Sequence, residues 1–309
     1  MEITDKINYV LGKTVVYMLL IIYPFVMHNK LNDVTLTRFF FFIIVSYAGF
    51  LVLCINSLAG FILKKLSDKK KYDDDKAHFI NIQEGAYSAK SKNAGKLDNI
   101  KNKIKDKIKN MDLWKKLIFL FLFVCIMSYL FSPYKSVAFL GHGGRYTGLV
   151  FYGACVCMYY VVSTCYRFEK RDITYVLCST ILVNVWAVLN YAGMDPFYIY
   201  KDVPAAMKTV YISSLGNIDI YGMYVNMMLA LAMFSFVYEE STAGKLFYGI
   251  CALLGMMGSL ASDSDMAVAG MFFAFVILIY FAISDYNRLI RYFMLAVELF
   301  IAGRILGVI

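Results

Sequence analysis

The 309-residue chain is 60% apolar and only 17% charged, with a mean hydropathy of +0.61; soluble domains run at about 45–50% and about 25%. Its formal net charge of +9 is concentrated, because residues 64–116 hold sixteen lysines against eight acids. A nucleic-acid-binding globule spreads its basic groups over a folded face, so that class is excluded and a multi-pass membrane protein with one basic insert remains.

A helix needs about 20 mainly apolar residues to cross a hydrocarbon core of about 30 Å. Nine runs meet that need: 9–27, 39–63, 116–132, 148–165, 173–193, 219–238, 245–261, 266–284 and 291–308. None alternates with period two, which excludes a barrel and predicts an all-α polytopic bundle. The first run has Glu2 and Asp5 in its flank and no small-residue cleavage site after Met27, so it reads as a retained helix rather than a signal peptide. Lysine and arginine bias sets the orientation. With residues 64–116 in the cytoplasm, alternation brings Arg167, Lys170, Arg171, Lys245, Arg288 and Arg291 there too, with the N-terminus inside. Loops 28–38, 133–147, 194–218 and 262–265 then face outward.

The chain therefore divides into the first two transmembrane helices (1–63), a basic cytoplasmic insert (64–115) and a seven-helix transmembrane region with outer-face substrate loops (116–309). Within the insert, residues 67–96 read as irregular polar chain. Leu97, Ile100, Ile104, Ile108 and Met111 then recur at helical spacing among lysines. That is the pattern of an amphipathic helix lying on anionic lipid; a solvated linker obeying the same charge bias is the alternative. The seven cysteines lie in or beside apolar runs without a C-x-x-C pair, and His28, His78 and His142 are scattered. Neither a disulfide framework nor a metal site is expected, and no cofactor motif occurs.

Chemistry is sought in the outward loops, where ionisable groups meet the membrane boundary. The loop after the third run reads Gly141-His142-Gly143-Gly144-Arg145-Tyr146-Thr147-Gly148. Its glycines allow tight turns and close approach of backbone N–H groups, and the Arg145 fork suits a phosphate or pyrophosphate. An ordinary turn whose arginine snorkels to lipid phosphate is the competing reading. Farther on, Lys201 and Lys208 put positive charge outside, against the usual bias, as an anionic substrate would require. Gly216-Asn217 signals a turn in which Asn217 is the polar group, with Asp219 starting the next helix as a cap. Asp263 and Asp265 have two open roles: capping the helix that begins at 266, or serving as a general base or hydroxyl acceptor. Glu298 is the deepest acid, and it and Arg304 are expected to find partners on other helices.

Three stretches resemble the O-antigen ligase/polymerase family of bacterial membrane proteins. They are Ser132-Pro133 followed by Gly141-x-x-x-Arg145-x-x-Gly148, the segment Asn190-Tyr191-Ala192-Gly193-Met194-Asp195-Pro196, and Ser214-Leu215-Gly216-Asn217. The likeness covers roughly residues 112–284. It implies transfer of a glycan from a polyprenyl pyrophosphate carrier to a saccharide, lipid or protein acceptor at the outer face, without nucleotide or metal. In that resemblance Arg145, beside Gly141, Gly144 and Gly148, matches the arginine that holds the pyrophosphate, and Asn217 falls in a matching stretch; Lys208, Asp263 and Asp265 join the substrate-binding set on the chemistry of their loops, not on the likeness. Two departures stand out. The outer turn at 262–265 is Ser-Asp-Ser-Asp where members carry an arginine, which points these acids toward an acceptor hydroxyl. The family's catalytic histidine is expected beyond residue 309, so the catalytic base is unassigned and the chain reads as truncated. The rival classes are a transporter or flippase of a lipid-linked saccharide and a non-catalytic scaffold. The transporter class predicts internal repeats and mid-membrane helix breaks, whereas Pro24, Pro133, Pro196 and Pro204 all sit at or beyond the ends of the runs.

Overall fold

The computed structural model describes residues 2–28, 33–80, 112–201, 203–204, 208 and 210–307. The chain is an all-α bundle. In order the helices are α1 (Glu2–Tyr17), α2 (Val34–Ile80), α3 (Leu113–Phe131), the short α4 (Lys135–Leu140), α5 (Leu149–Cys165), α6 (Lys170–Tyr191), α7 (Ile218–Tyr238), α8 (Thr242–Ala261), α9 (Asp265–Ala282) and α10 (Tyr286–Leu306). Between α6 and α7 a hairpin pairs β1 (Tyr211–Ile212) with β2 (Gly216–Asn217), in antiparallel register Tyr211 to Asn217. Seven stretches among the described residues are long and apolar enough to cross a membrane: Ile3–Phe25, Val34–Ser67 and the helices α3, α6, α7, α8 and α9. α5 is apolar but has only 17 residues, and α10 carries Arg288, Arg291, Glu298 and Arg304.

Every apolar run is thus helical, and two boundaries differ instructively from the sequence reading. Residues 67–80, expected to be irregular, continue α2 without a break to Ile80. No glycine or proline occurs between Gly60 and Gly85, and Lys69, Lys70, Lys71 and Lys76 favour helix enough to carry the less favourable aspartates of the stretch. The amphipathic segment 97–111 lies outside the described residues. Directly after α1 the helix loosens into a π turn at Met18–Ile22 and tightens into a 3-10 turn at Tyr23–Phe25, with Pro24 buried.

Contacts divide the chain into two compact units, Met1–Val15 with Ile43–Tyr166, and Val16–Phe42 with Arg167–Ile309. In the first, Asn56 Nδ2 donates to Thr4 O (2.9 Å) and Asn8 Oδ1 (2.7 Å), joining α2 to α1. Such inter-helix hydrogen bonds replace water where none is available. Gly12 lets α1 pass against the backbone at Cys165, which a Cβ there would meet at 2.5 Å. α3 lies along α5 through Phe119–Tyr160 and Phe121–Tyr152 ring contacts, both 5.6 Å between centroids.

The second unit has a continuous core in which Leu229 and Met233 of α7, Met256 of α8, Leu278 of α9 and Leu295 of α10 are fully buried. α8 approaches α7 closely because Gly255 faces Leu229 and Gly258 faces the Tyr221 hydroxyl. That hydroxyl donates to Asn184 Oδ1 at 2.9 Å, so its burial leaves no orphan donor. At one end of this unit the α7–α8 turn is closed by Glu239. Its Oε1 accepts from Glu240 N, Ser241 N and Ser241 Oγ, Oε2 pairs with Lys170 at 2.8 Å, and Arg291 donates to the Val237 and Glu239 carbonyls. The Lys170 ammonium, with the turn's own N–H and O–H donors, holds the Glu239 carboxyl at about 2, well below the usual carboxylate range.

Candidate functional site

The first unit carries the arginine-bearing loop. Lys135 begins α4 and donates to the Tyr129 and Leu130 carbonyls, capping the end of α3. The chain then turns at Gly141, whose φ is +94°, and returns to start α5 at Gly148. These two glycines form a neck. A Cβ on Gly148 would lie 2.5 Å from Gly141 N, and one on Gly141 would lie 2.5 Å from Tyr146 C. The Gly-x-x-x-Arg-x-x-Gly spacing is therefore explained by a backbone crossing that only glycine permits. Gly144 (φ +92°) and Tyr146 (φ +50°) bend the tip, and His142 O accepts from both Arg145 N and Tyr146 N at 3.1 Å. Arg145 is exposed at that tip, and among the described residues its guanidinium has no hydrogen bond or ion pair. Gly143 and Gly144 face open space.

The second unit has a cleft of about 520 Å³ where α6 and α8 end and α7 begins. Its walls are knit by the 190–217 segment. Asn190 Oδ1 accepts from Ser213 N and its Nδ2 donates to Met194 O, both at 2.9 Å. Asp195 accepts from Ile199 N and Tyr200 N, also at 2.9 Å, and Tyr200 donates through its hydroxyl to Tyr211 O at 2.7 Å. Burial pushes the Tyr200 phenol up to about 12, so it remains a neutral donor. Beneath the hairpin, buried Arg38 donates to Leu215 O (2.8 Å), Ser214 O (2.6 Å) and Pro24 O (3.0 Å). Among the described residues this guanidinium has no acid partner; it satisfies three carbonyls that burial would otherwise orphan.

Of the residues expected from sequence, Lys208 and Asp263 line this cleft together with Lys201. All three are exposed and, among the described residues, have no hydrogen-bond or ion-pair partner to their charged groups. Asp263 holds a left-handed backbone (φ +50°) uncommon for a side-chain-bearing residue. Tyr191, Tyr200 and Tyr211 add aromatic surface. Asn217 has another task, since its Oδ1 accepts from Asp219 N (2.8 Å) and Ile220 N (3.3 Å) as the cap of α7. The capping expected of the acids is corrected accordingly. Asn217 reaches the free N–H groups first, leaving Asp219 in the first turn to accept from Ser264 Oγ at 3.1 Å. The N-cap position of α9 is Ser264, with Asp265 in the first turn, where its charge faces the helix dipole. Asp265 does not line the cleft. Glu298 was expected to have a partner on another helix; among the described residues its buried Oε2 has no hydrogen-bond partner, and it packs beside Gly249.

Sequence reasoning missed Arg38 and the three tyrosines. The signal for Arg38 was its position directly before Phe39-Phe40-Phe41-Phe42, a poor neighbourhood for a solvated loop charge. No group of three His, Cys, Asp or Glu side chains gathers to hold a metal among the described residues.

The apolar helices and their hydrogen-bonded ends define an α-helical membrane protein. The chain matches no protein-family profile, no curated protein and no solved structure.

Proposed function

We propose that this protein transfers a saccharide from a polyprenyl pyrophosphate carrier to an acceptor at the outer face of the cell membrane, as a glycan ligase or polymerase. The observation that carries the reading is Arg145, an unpaired guanidinium at the tip of a loop whose neck is built from Gly141 and Gly148. A planar fork suits two phosphate oxygens. In the transfer, an acceptor hydroxyl attacks the anomeric carbon, the bond to the pyrophosphate breaks, and the lipid pyrophosphate leaves with the electron pair. Arg145 neutralises the charge that gathers on it, the kind of fixed electrostatic help that lowers such barriers most. The hydroxyl proton passes to a base that the described residues leave unassigned.

The cleft of the second unit is, taken by itself, suited to a saccharide. Lys201 and Lys208 offer charge to an anionic sugar, Asp263 accepts from a hydroxyl, and the tyrosines supply flat apolar faces. Orientation follows from charge. Lys170, Arg171, Arg288 and Arg291 cluster about one end of the second unit and the cleft lies at the other, so nine spans with a cytoplasmic N-terminus put the cleft outside. The lysines of the 97–111 sequence would then attract the anionic lipids of the inner leaflet. The test is transfer from a fluorescent lipid-linked saccharide by the reconstituted full-length protein. Arg145→Ala is expected to abolish transfer without lowering thermal stability, and unchanged transfer overturns the assignment.

A further inference from the structure

The second unit has a lateral groove of about 340 Å³ between α8 and α10, with Phe236 of α7 in its wall. Leu246 and Ile250 of α8 and Met294 of α10 line it and are exposed, so in a membrane it opens to lipid. Glu298 lies in this groove against Gly249, whose missing side chain leaves the carboxyl room; a Cβ there would stand 3.3 Å from Glu298 Oε1. Among the described residues the buried Glu298 Oε2 has no hydrogen-bond partner, and the Lys245 ammonium, one turn nearer the α7–α8 turn, has none either. Gly249 is seven residues along α8 from Thr242, which puts the carboxyl about 10 Å from the start of that span at ~1.5 Å per residue. That is about a third of the way through a hydrocarbon core of about 30 Å. An acid at this depth is costly unless something donates to it. Glycan transfer makes no use of it.

Chemistry narrows the occupant. An acyl chain has no donor, and a lipid phosphate is repelled. A headgroup ammonium sits at the boundary beside its phosphate, so reaching Glu298 would drag that phosphate about 10 Å into hydrocarbon. A membrane-spanning helix meets the demand, because its backbone carries a lysine or arginine to that depth and the seam between two helices receives a third. We propose that the groove between α8 and α10 docks a transmembrane helix of a partner protein. Glu298 recognises a basic residue on that helix, and Lys245 meets an acidic residue one turn nearer the boundary. Two charges of opposite sign at different depths set register as well as identity, since sliding the partner by one turn, about 5.4 Å, leaves a charge in lipid. The docking does not depend on the glycan-transfer reading.

The test uses the full chain in phosphatidylcholine nanodiscs with the photocrosslinker p-benzoylphenylalanine in place of Ile250. The probe is a synthetic leucine–alanine helix of about 24 residues, long enough to span, with a glutamate at its boundary and a lysine one turn deeper. Photolysis is expected to give about tenfold more adduct with this probe than with the same helix carrying leucine for lysine. Glu298→Leu should remove that preference without lowering the melting temperature, since it deletes an unpaired buried acid. Glu298→Lys should transfer the preference to a helix with glutamate at the deeper place. Equal adduct with both helices, or a preference that survives Glu298→Leu, overturns the docking. Adduct between two copies of the protein that excludes the probe assigns the groove to a dimer and overturns the partner helix. Competition by hexadecylamine as strong as by the unlabelled probe assigns it to an amphiphilic amine, with the same consequence. If Lys245→Leu lowers the melting temperature in the native protein but not beside Glu298→Leu, the two residues pair with each other and the proposal falls.

Discussion

Arg145 owes its exposure to its neighbours rather than to itself. Two glycines let the chain cross its own path, and a third bends the tip, so the guanidinium is presented without a partner. Arg145→Lys is expected to restore only a small fraction of transfer, since one ammonium replaces a two-pronged fork; the ratio of the Lys to the Ala variant in initial-rate assays measures this. Gly148→Ala is expected to disable transfer as fully as Arg145→Ala, because a methyl group cannot fit at the neck, and limited proteolysis within 141–148 should rise with it. Much at this scale was legible. The glycine spacing, Lys208 and Asp263 stand out in sequence, because closely spaced glycines mark a backbone that side chains would obstruct and loop charges between apolar runs face water. Arg38 left only a faint trace, its place before four phenylalanines, because the carbonyls it satisfies belong to two segments distant in sequence.

Helix ends and turns determine what each element contributes. Arg38 bridges the 3-10 turn at Pro24 to the β1–β2 hairpin, and that hairpin forms one wall of the cleft. Arg38→Met leaves three buried carbonyls short of a donor and is expected to cost about 2–4 kcal/mol, seen as a lower melting temperature and faster amide exchange in 211–217. The α7–α8 turn gives a pH prediction. The Glu239 carboxyl lies at about 2 in the folded protein against an ordinary 4.5. A depressed carboxyl stabilises the fold above its unfolded value, and that stability is lost as pH falls from about 4.5 toward about 2. Melting temperature in detergent should therefore drop across this window, and Glu239→Gln should flatten the drop while lowering stability at pH 7. Sequence places the caps one or two residues off because Ser, Asp and Asn are equivalent there, and only geometry decides which oxygen meets the free N–H groups.

For the whole molecule, apolar runs predict every long helix, since backbone in lipid has few other ways to satisfy itself. The division into two units and the cleft of the second were not legible, for they depend on contacts between distant residues such as Gly258 with Tyr221 and Asn190 with Ser213. The orientation is tested by single-cysteine labelling in intact cells. With the native cysteines removed, Lys208→Cys is expected to react with an impermeant maleimide and Arg288→Cys only after permeabilisation; the opposite pattern inverts the topology. α2 has a mechanical consequence. Its 47 residues span about 70 Å at ~1.5 Å each, more than twice a hydrocarbon core of about 30 Å. The apolar stretch ends at Ser67, so the remaining turns to Ile80 are helix that the hydrocarbon core cannot cover, and a small tilt of the apolar part carries their end through a larger arc.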